Sequence, residues 1–497
     1  MDEGEGWQGE CRESGLGARD SGLGARGSGL GLWECATVIG LMRIAWFSPL
    51  PPHRSGIAAY SAEILGRLGR HEIDAFVDDG AGAGTVAQTL PLPGVRVGSA
   101  HDFPWRQASR PYDAIVYQLG NDTCHDYMWP YLVRYPGLVV LHDAQVHQAR
   151  ASGLLRTWRA DDYRAEFHFS HPDADPGIAE LVVSGLGGSL YYHWPMLRVP
   201  VEAARLVAVH SEWLARELAG QFPGRPIQHV RMGTPDPLPL MRTSPAEVRR
   251  RHGIPEHAVV FGSFGRVTPE KQLSRVLLAL AEVSESAPEA HLLVVGDTPA
   301  WFDCAAEARA LGLAGRVTVT GYVDDADLAD YLGAVDVCLN LRWPTGRETS
   351  AAWIRCLAAG KPTVISDLAH LGDVPTLDLR SMKIACTDPA AREPIAVGVE
   401  LDHDIHMLRL ALVQLARDAG LRERLGAAAR RYWAAHASME LMAQDYEAAL
   451  VRVSALPDPA RPASWPAHLS NDGTATLRAI MTSMGVTFDW QGGAARP

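Results

Sequence analysis

The stretch VDVCLNLRWPTGRETSAAWIRCLAAGKPTVISD, residues Val335 to Asp367, decides the fold of this chain. It begins with the apolar run Val335 to Leu341, which predicts a buried strand, and a polar loop follows. The Ala-rich segment Ala351 to Ala359 predicts a helix, and Thr363 to Ser366 predicts a second strand. The succession of strand, loop, helix and strand is typical of an open parallel sheet, which binds ligands at the carboxyl ends of its strands.

The loop of this stretch carries side chains that suit a phosphorylated, hydroxyl-rich ligand. Thr349 and Ser350 are favourable residues for a helix N-cap, and the helix start offers N–H groups and a positive dipole to an anion. Glu348 supplies a carboxylate, and either Arg342 or Arg347 supplies a guanidinium. We therefore expect a ligand site at this loop.

Composition indicates an ordinary globular protein with two or three domains. The chain has 497 residues, of which 47% are hydrophobic and 21% are charged. Its formal net charge of −12 argues against a nucleic-acid binder. The seven cysteines form no C-x-x-C pair, which is typical of a reduced compartment, and no apolar run approaches the ~20 residues of a membrane span. We expect a cytoplasmic protein.

The chain divides into segments of different pattern. Residues 1–41 repeat SGLGAR and lack apolar periodicity, so we predict disorder there and a biological start at Met42, with the preceding residues a start-site artefact. Residues 42–238 and 239–420 each alternate strands and helices, which predicts two doubly wound sheets with a cleft between them. The remaining segments are closing helices in 421–456 and a Pro-rich tail in 457–497, which the patterns do not place.

The second half opens with FGSFGRVTPEKQL, in which a strand ends at Gly265. Arg266 and Lys271 flank the turn that follows. A guanidinium fork and a compact ammonium beside a tight Gly turn suit a diphosphate. The alternative is that both residues are solvated surface cations near a helix start.

The motifs SPLPPHRSGIAAYSAEIL, YQLGN, VVLHD, VHSEWLARELA, GRVTPEK and AAGKPTVISD follow one another along the chain. In the same order, they resemble motifs of the retaining glycosyltransferases of family 4, which have the GT-B fold. The resemblance covers Met42 to about Leu450. GRETSAAWIR also resembles the GETS-type loop of a bacterial subset of that family.

The resemblance implies an α/β, GT-B protein that moves a sugar from a nucleotide diphosphate sugar to a hydroxyl acceptor, which is a glycan, a lipid-linked molecule or a small molecule. It implies no metal and no cofactor. The implied catalytic residues are Arg266, Lys271, Glu348 and His142, although an isolated strand-end histidine is more often a satisfied core residue. The implied donor contacts are Gly56, Gly265, Arg266, Lys271, Glu348, Thr349 and Ser350.

One position departs from the family pattern. The family usually carries two glutamates, separated by seven residues, on this loop and helix, and Glu348 matches the first of them. Arg355 or Cys356 stands where the second glutamate is expected. Because the second glutamate usually holds the nucleotide ribose, the resemblance does not predict how this chain binds the nucleotide.

Other functions remain open on the sequence alone. The alternatives are another GT-B activity, such as a nucleotide-sugar epimerase, and a nucleotide-sugar binding or scaffold protein without transfer. A dinucleotide dehydrogenase is disfavoured because no G-x-G-x-x-G follows the first strand. The clusters HFSHPDAD and LDHDIH contain residue types that bind metals, but polar loops have the same composition.

An insertion between His147 and Pro195 interrupts the alternation of strands and helices. Its length favours a functional role. It carries a basic and aromatic run that suits either a membrane surface, at the inner face, or an ordinary surface lid helix. The run consists of Arg150, Arg156, Trp158 and Arg159.

Overall fold

The computed structural model describes residues 40–78, 84, 92–400, 405–471 and 474–486. The predictions made for residues 1–39 and for most of the LDHDIH motif lie outside the described residues. From Leu41 onward the described residues belong to one compact unit.

A parallel sheet of seven described strands forms the first half of this unit. The strand order is β3-β2-β1-β4-β5-β6-β7, so the sheet grows in one direction from β1 and then in the other from β4. Every residue of β1, β4 and β5 is buried, as expected for a sheet covered on both faces. The strands are β1 (Arg43–Phe47), β2 (Glu72–Val77), β3 (Val95–Ser99), β4 (Ala114–Leu119), β5 (Leu138–Leu141), β6 (Leu206–Val209) and β7 (Ile227–His229).

Helices connect these strands, and the insertion between His147 and Pro195 is itself helical. Its residues Tyr163 and Phe167 are fully buried in the core of the first half, so the insertion is part of that core. The helices are α1 (Gly56–Leu65), α2 (Phe103–Ser109), α3 (Trp129–Leu132), α4 (His147–Arg156), α5 (Ala160–Ser170), α6 (Pro176–Val183), α7 (Leu190–His193), α8 (Arg198–Ala203) and α9 (Glu212–Gln221). A 3-10 segment, Thr123–Met128, precedes α3.

A second sheet has the order β10-β9-β8-β11-β12-β15-β13-β14. Its pairs are parallel except for β13 and β14, which are antiparallel. The chain reverses its direction across this sheet between β8 and β11, which are adjacent. The strands are β8 (Val259–Phe264), β9 (Ala290–Val295), β10 (Val317–Val319), β11 (Val337–Asn340), β12 (Thr363–Ser366), β13 (Thr376–Asp378), β14 (Lys383–Ala385) and β15 (Ala396–Val399).

The helix that the opening stretch predicts begins at the expected residue, Ala351, and ends at Ala358, one residue before the predicted end. The Ser350 hydroxyl accepts a hydrogen bond from Trp353 N at 3.3 Å, and Gly360, with φ +66°, follows the C-terminal end. The helices of this half and beyond are α10 (Pro245–Arg251), α11 (Leu273–Glu282), α12 (Cys304–Ala310), α13 (Leu328–Ala334), α14 (Ala351–Ala358), α15 (His406–Arg417), α16 (Ala419–His436), α17 (Met439–Ala455) and α18 (Ala475–Ser483).

The last long helices pack against different halves of the unit. Helix α16 lies against α14, whereas α17 lies against α1 and the strands β4, β5 and β6. Tyr446 of α17 forms a hydroxyl–hydroxyl hydrogen bond of 2.8 Å with Tyr60 of α1. The chain therefore returns to the first half after completing the second.

Part of the Pro-rich tail also covers the first half. Arg461 donates to the carbonyl of Val133 at 2.8 Å, and the Trp465 ring contacts Phe169 at a centroid distance of 5.5 Å. Leu469 is buried in the core of this half. Within the described ranges, no helix is long and apolar enough to cross a membrane.

Candidate active site

The loop between β11 and α14 joins the carboxyl edges of the two sheets. Ala144, just after β5, donates its N–H to the carbonyl of Gly346 at 2.7 Å. The Thr349 hydroxyl donates to the carbonyl of His210, just after β6, at 3.2 Å. Arg347 donates to the carbonyl of Ala144 at 3.1 Å. Both edges therefore contribute to one site, which in the second sheet lies next to the reversal of strand order between β8 and β11.

The turn after β8 depends on glycine. Gly265 has φ +83° and Gly296 has φ +150°, a region that side chains disfavour. A Cβ at Gly296 would lie 2.4 Å from the carbonyl oxygen of Gly265, so the two segments approach too closely for any side chain there. This close contact fixes the path of the turn that precedes Arg266.

Lys271 lies beneath this turn rather than on the surface. Its ammonium donates to the carbonyls of Phe264 and Gly265, at 2.6 Å in the case of Gly265, and its exposed fraction is 9%. Burial, followed by the nearby Arg342 guanidinium, holds the pKa of Lys271 well below its usual range. Lys271 therefore stabilises the turn as well as adding positive charge to it.

Arg266 differs from Lys271 in its surroundings. It is exposed at the rim of the turn, and none of the ion pairs in the described part of the chain involves it. Its guanidinium is therefore available to an anionic ligand that enters from the cleft.

Glu348 is held within the loop by two neighbours. Its Oε1 lies 3.1 Å from Arg342 Nε in an ion pair, and its Oε2 accepts a hydrogen bond from the Thr345 hydroxyl at 3.1 Å. Arg342 is itself placed by a hydrogen bond from its N–H to the Ser366 hydroxyl at 2.8 Å. The carboxylate therefore has a defined position at the carboxyl edge.

Asp143, the last residue of the VVLHD motif, is a site residue that the sequence pattern does not single out. Its Oδ2 accepts a hydrogen bond from Asn121 N at 2.8 Å. A Cβ at Gly346 would lie 3.7 Å from Asp143 Oδ1 and 3.4 Å from Glu348 Oε2, so the two carboxylates flank Gly346. Burial, and then the Glu348 carboxylate, raise the pKa of Asp143 to about 7.

His142 is a neutral imidazole with partners on the first half. Its Nε2 donates to Gln118 Oε1 at 2.7 Å, and its ring meets the Tyr60 ring edge-on at 4.7 Å. Burial, followed by His210, holds the pKa of His142 well below its usual range. These contacts fix the position of the ring, and its role at the transfer point stays a prediction.

The other predicted donor contacts lie at the same edge. Gly56 is the exposed first residue of α1, and a Cβ built on it would meet no atom within 4 Å, so the space beside it is open. The Thr349 hydroxyl bonds to the first half, and the Ser350 hydroxyl caps α14. Their side chains therefore serve the structure, and donor contact by either residue stays a prediction.

Arg355 and Cys356, which stand where the family's second glutamate is expected, lie in different environments. Arg355 Nη2 lies 2.5 Å from Glu63 Oε1 of α1, across the cleft. Cys356 is fully buried, and its Sγ donates to the carbonyl of Ala352 at 3.1 Å. Of the two residues, Arg355 is the one that faces the opposite half.

Comparison with known proteins decides the fold. Residues 258–390, which include Gly265, Arg266, Lys271 and Glu348, match the family model described as glycosyl transferases group 1. The structure of Anabaena HepE in complex with UDP and glucose superposes with a TM-score of 0.56 at 16% identity, covering 82% of this chain and 99% of that chain. The protein has the GT-B fold. The predicted fold class is thereby confirmed, whereas membership of family 4 and the GETS-type loop stay predictions.

Curated relatives of this GT-B protein match part of its length. The 2-deoxystreptamine glucosyltransferase of Streptomyces kanamyceticus is 31% identical over 135 residues, which are 26% of this chain and 34% of that protein. The alpha-monoglucosyldiacylglycerol synthase of Streptococcus pneumoniae is 27% identical over 128 residues, which are 26% of this chain and 29% of that protein. The chain therefore spans about a third of the length of the curated relatives that it matches.

The HFSHPDAD cluster of the GT-B protein has structural contacts. His171 Nε2 accepts a hydrogen bond from Met196 N at 3.1 Å, and Asp175 accepts one from Gly177 N at 2.7 Å at the start of α6. Over the described ranges, no three His, Cys, Asp or Glu side chains are grouped in a way that could hold a metal ion.

The predicted surface run in the insertion needs one correction. Arg150 is only 6% exposed; it forms a two-pronged ion pair with the buried Glu166 and lies over the Trp129 ring at 4.3 Å. Placing Arg150 on a membrane-facing surface was therefore wrong, because its charge is compensated inside the first half. Trp158, in contrast, is 95% exposed.

The insertion also reaches the other half of the GT-B unit. The Tyr192 hydroxyl of α7 donates to the Glu270 carboxylate, which precedes Lys271. Glu270 in turn accepts a backbone hydrogen bond from Trp343 N at 2.8 Å. The insertion is therefore in contact with the turn that carries the predicted diphosphate contacts.

Proposed function

We propose that this GT-B protein transfers a sugar from a nucleotide diphosphate sugar to a hydroxyl acceptor, with retention of configuration and without a metal or other cofactor. One observation carries the proposal. The exposed Arg266 and the buried Lys271 lie in a glycine turn at the same sheet edge as Glu348, within the stretch that matches glycosyl transferases group 1. The UDP and glucose bound by HepE support a donor of this class.

The turn after β8 would bind the diphosphate. Arg266 presents a planar fork to phosphate oxygens, and Lys271 adds a positive charge directly beneath the turn. As the bond to the sugar breaks, negative charge grows on the leaving diphosphate, and these fixed positive groups stabilise it. Binding of the anion also favours the charged form of Lys271, whose pKa is lowered in its absence.

Glu348 would bind the sugar. Its carboxylate accepts hydrogen bonds from sugar hydroxyls, and Arg342 and Thr345 hold it in position. His142 would border the sugar from the facing sheet, and Gly56 would leave room for the phosphates beside α1. In this arrangement the acceptor attacks from the face that the diphosphate leaves, which retains the configuration of the sugar.

A screen of nucleotide sugars tests this function directly. The purified protein is incubated with UDP-, GDP- and ADP-sugars, with and without candidate acceptors, in the presence of EDTA. Thermal stabilisation by one donor together with release of its nucleotide diphosphate is expected. Strict metal dependence would contradict the metal-free mechanism, and conversion of one nucleotide sugar into another would favour an epimerase.

A scaffold function is the second candidate, and the ion pair of Arg355 with Glu63 is the observation that favours it. Arg355 stands where the resemblance expects a glutamate, so the charge at this position is reversed. Its guanidinium is also already paired with Glu63. Donor binding without turnover, with every acceptor tried, is the outcome that supports the scaffold.

We further propose that the protein is cytoplasmic and touches the inner face of the membrane through Trp158. Trp158 lies in the turn between α4 and α5, is 95% exposed, and stands between the exposed Arg156 and Arg159. An indole flanked by guanidinium groups suits the headgroup region of an anionic bilayer. Such contact would bring a lipid-linked acceptor to the cleft.

Co-sedimentation with vesicles containing phosphatidylglycerol tests this contact. Trp158→Ala should reduce the bound fraction severalfold, whereas Trp105→Ala, at a position that is 78% exposed on α2, should leave it unchanged. Equal loss in both variants, or no binding by the unaltered protein, would contradict the proposal.

A further inference from the structure

Both carboxylate oxygens of Asp143 have defined neighbours, although no function has yet been assigned to this residue. It follows β5 at the carboxyl edge, and Asn121 N holds its Oδ2 at 2.8 Å. Its other oxygen, Oδ1, faces the loop of the second half at Gly346. The backbone bond of 2.7 Å from Ala144 N to the Gly346 carbonyl ties the two loops together beside this oxygen. Asp143 Oδ1 is therefore directed at the same space as Glu348.

Charged groups face Asp143 from both halves. Glu348 and Arg342 face it from the second half, and Asp122 faces it from the loop after β4. The buried His125 also borders it, because a Cβ at Gly120 would lie 3.0 Å from His125 Nε2 and 3.4 Å from Asp143 Oδ2. Burial lowers the pKa of His125 to about 4, so it adds no positive charge near neutral pH.

These neighbours set the direction of the pKa shift of Asp143. Burial and the two carboxylates disfavour its ionised form, and the Asn121 N–H and Arg342 only partly compensate. Its pKa of about 7 is the value at which a group accepts and releases protons most effectively under physiological conditions.

We propose that Asp143 takes the proton of the acceptor hydroxyl as that hydroxyl attacks the sugar, a step that rests on the transferase function proposed above. The bond between the acceptor oxygen and the anomeric carbon forms, and the bond between that carbon and the diphosphate oxygen breaks. The electron pair of the broken bond leaves with the diphosphate, and the hydroxyl proton passes to Asp143 Oδ1. Atoms and charge balance without a further reactant.

Neighbouring groups suit this step less well. Glu348 is paired with Arg342 through Oε1 and bonded to Thr345 through Oε2, so both of its oxygens already have partners. His142 donates its Nε2 proton to Gln118, and burial disfavours its taking up another. Asp143 has Oδ2 anchored by Asn121 N and Oδ1 facing the Gly346 loop beside Glu348, which suits a proton acceptor.

The pH dependence of kcat/KM tests the proposal. For the unaltered protein, kcat/KM should rise about tenfold per pH unit below pH 7 and level off above it. Asp143→Asn should lower kcat by about a hundredfold or more and abolish this rise, because the amide cannot take the proton. Asp126→Asn, a carboxyl that lies against Gly153 of α4, serves as the matched control and should keep the profile.

Donor binding separates this step from the function on which it rests. Asp143→Asn should bind the donor with an unchanged dissociation constant and retain the Tm of a folded protein. If the unaltered protein transfers sugar and Asp143→Asn keeps the same pH-dependent rise, Asp143 is not the proton acceptor. If the unaltered protein neither binds nor turns over any donor, the transferase function itself is wrong.

Discussion

Arg355 of α14 and Glu63 of α1 form an ion pair across the cleft, with Nη2 and Oε1 2.5 Å apart. Both side chains are largely covered, with exposed fractions of 16% and 25%. The resemblance to family 4 places a glutamate at or next to Arg355. In this protein the carboxylate beside that position belongs to Glu63, which lies on the facing half. The ion pair therefore links the two halves at the position where the sequence alone shows only the absence of the family's second glutamate.

A double-mutant cycle should show coupling between these two residues. Glu63→Gln and Arg355→Gln should each destabilise the protein, and the double variant should lose about 1 kcal/mol less than the sum, since each single change leaves one charge unpaired. Urea unfolding measures the coupling. The matched control is Arg164 with Glu180, an exposed pair within the first half, whose coupling should be smaller. Additive losses at Glu63 and Arg355 would show that the pair does not couple the halves.

Arg266→Ala should weaken donor binding without affecting the fold. The guanidinium is exposed at the glycine turn, so its loss removes a charge-assisted contact to the diphosphate, about 1.5–3 kcal/mol or roughly tenfold to a hundredfold in affinity. Titration calorimetry with the nucleotide diphosphate measures the loss of affinity. Arg216→Ala, on the exposed face of α9, serves as the control. Unchanged affinity would remove Arg266 from the diphosphate site.

Lys271→Ala should behave differently from Arg266→Ala. The Lys271 ammonium bonds to the carbonyls of Phe264 and Gly265, and its removal leaves buried acceptors without a donor. A fall in Tm should therefore accompany the loss of donor turnover. A variant with full activity would refute the diphosphate assignment, and one with an unchanged Tm would refute the structural role of this lysine.

Strands and helices with strong patterns could be predicted from the sequence, whereas weak ones could not. Strand β12 has the predicted bounds, Thr363–Ser366, because buried parallel strands are continuous apolar segments. Strand β3, with the sequence VRVGS, is partly exposed, and β14 is fully exposed. Neither has an apolar run, and their pairing with neighbouring strands determines their structure.

The site was predictable where it is local in sequence and not where it depends on tertiary contacts. Arg266, Lys271 and Glu348 follow strand ends, which sheet topology places at one edge. The proximity of Asp143 to Glu348 depends on how the two halves meet, and no pattern within either segment encodes it. The available signal was a strand-end histidine followed by an aspartate, and the resemblance implied a role for the histidine alone.

The C-terminal tail should contribute to the stability of the first half. Leu469 is 9% exposed and belongs to the core of that half, so Leu469→Ala should cost about 2 kcal/mol in the free energy of unfolding. Leu477→Ala, at a position on α18 that is 45% exposed, should change it by less than about 0.5 kcal/mol. Denaturant unfolding of both variants provides the measurement. Equal effects would show that the packing of the tail is not stabilising.

Asp143→Asn should stabilise the protein at high pH and not at low pH. The folded-state pKa of Asp143 is about 7, whereas an unfolded aspartate has a pKa of about 3.9, so the folded state binds more protons between these values. The stability that protonated Asp143 contributes is therefore lost as the pH rises from about 4 to about 7. Asparagine has no charge to bury, and the Tm advantage of the variant should grow by about 2 °C between pH 5 and pH 8.

The pH range over which the Tm difference changes is as informative as the size of the change. Burial raises the pKa of Asp126 to about 6, so Asp126→Asn should gain stability over a range about one pH unit lower than Asp143→Asn does. Thermal unfolding of both variants and the unaltered protein in matched buffers measures the two ranges. A Tm difference for Asp143→Asn that stays constant from pH 5 to pH 8 would mean that Asp143 is ionised throughout. That result would also remove the expected rise of kcat/KM below pH 7, because a carboxyl ionised throughout is in its proton-accepting form at every pH in this range.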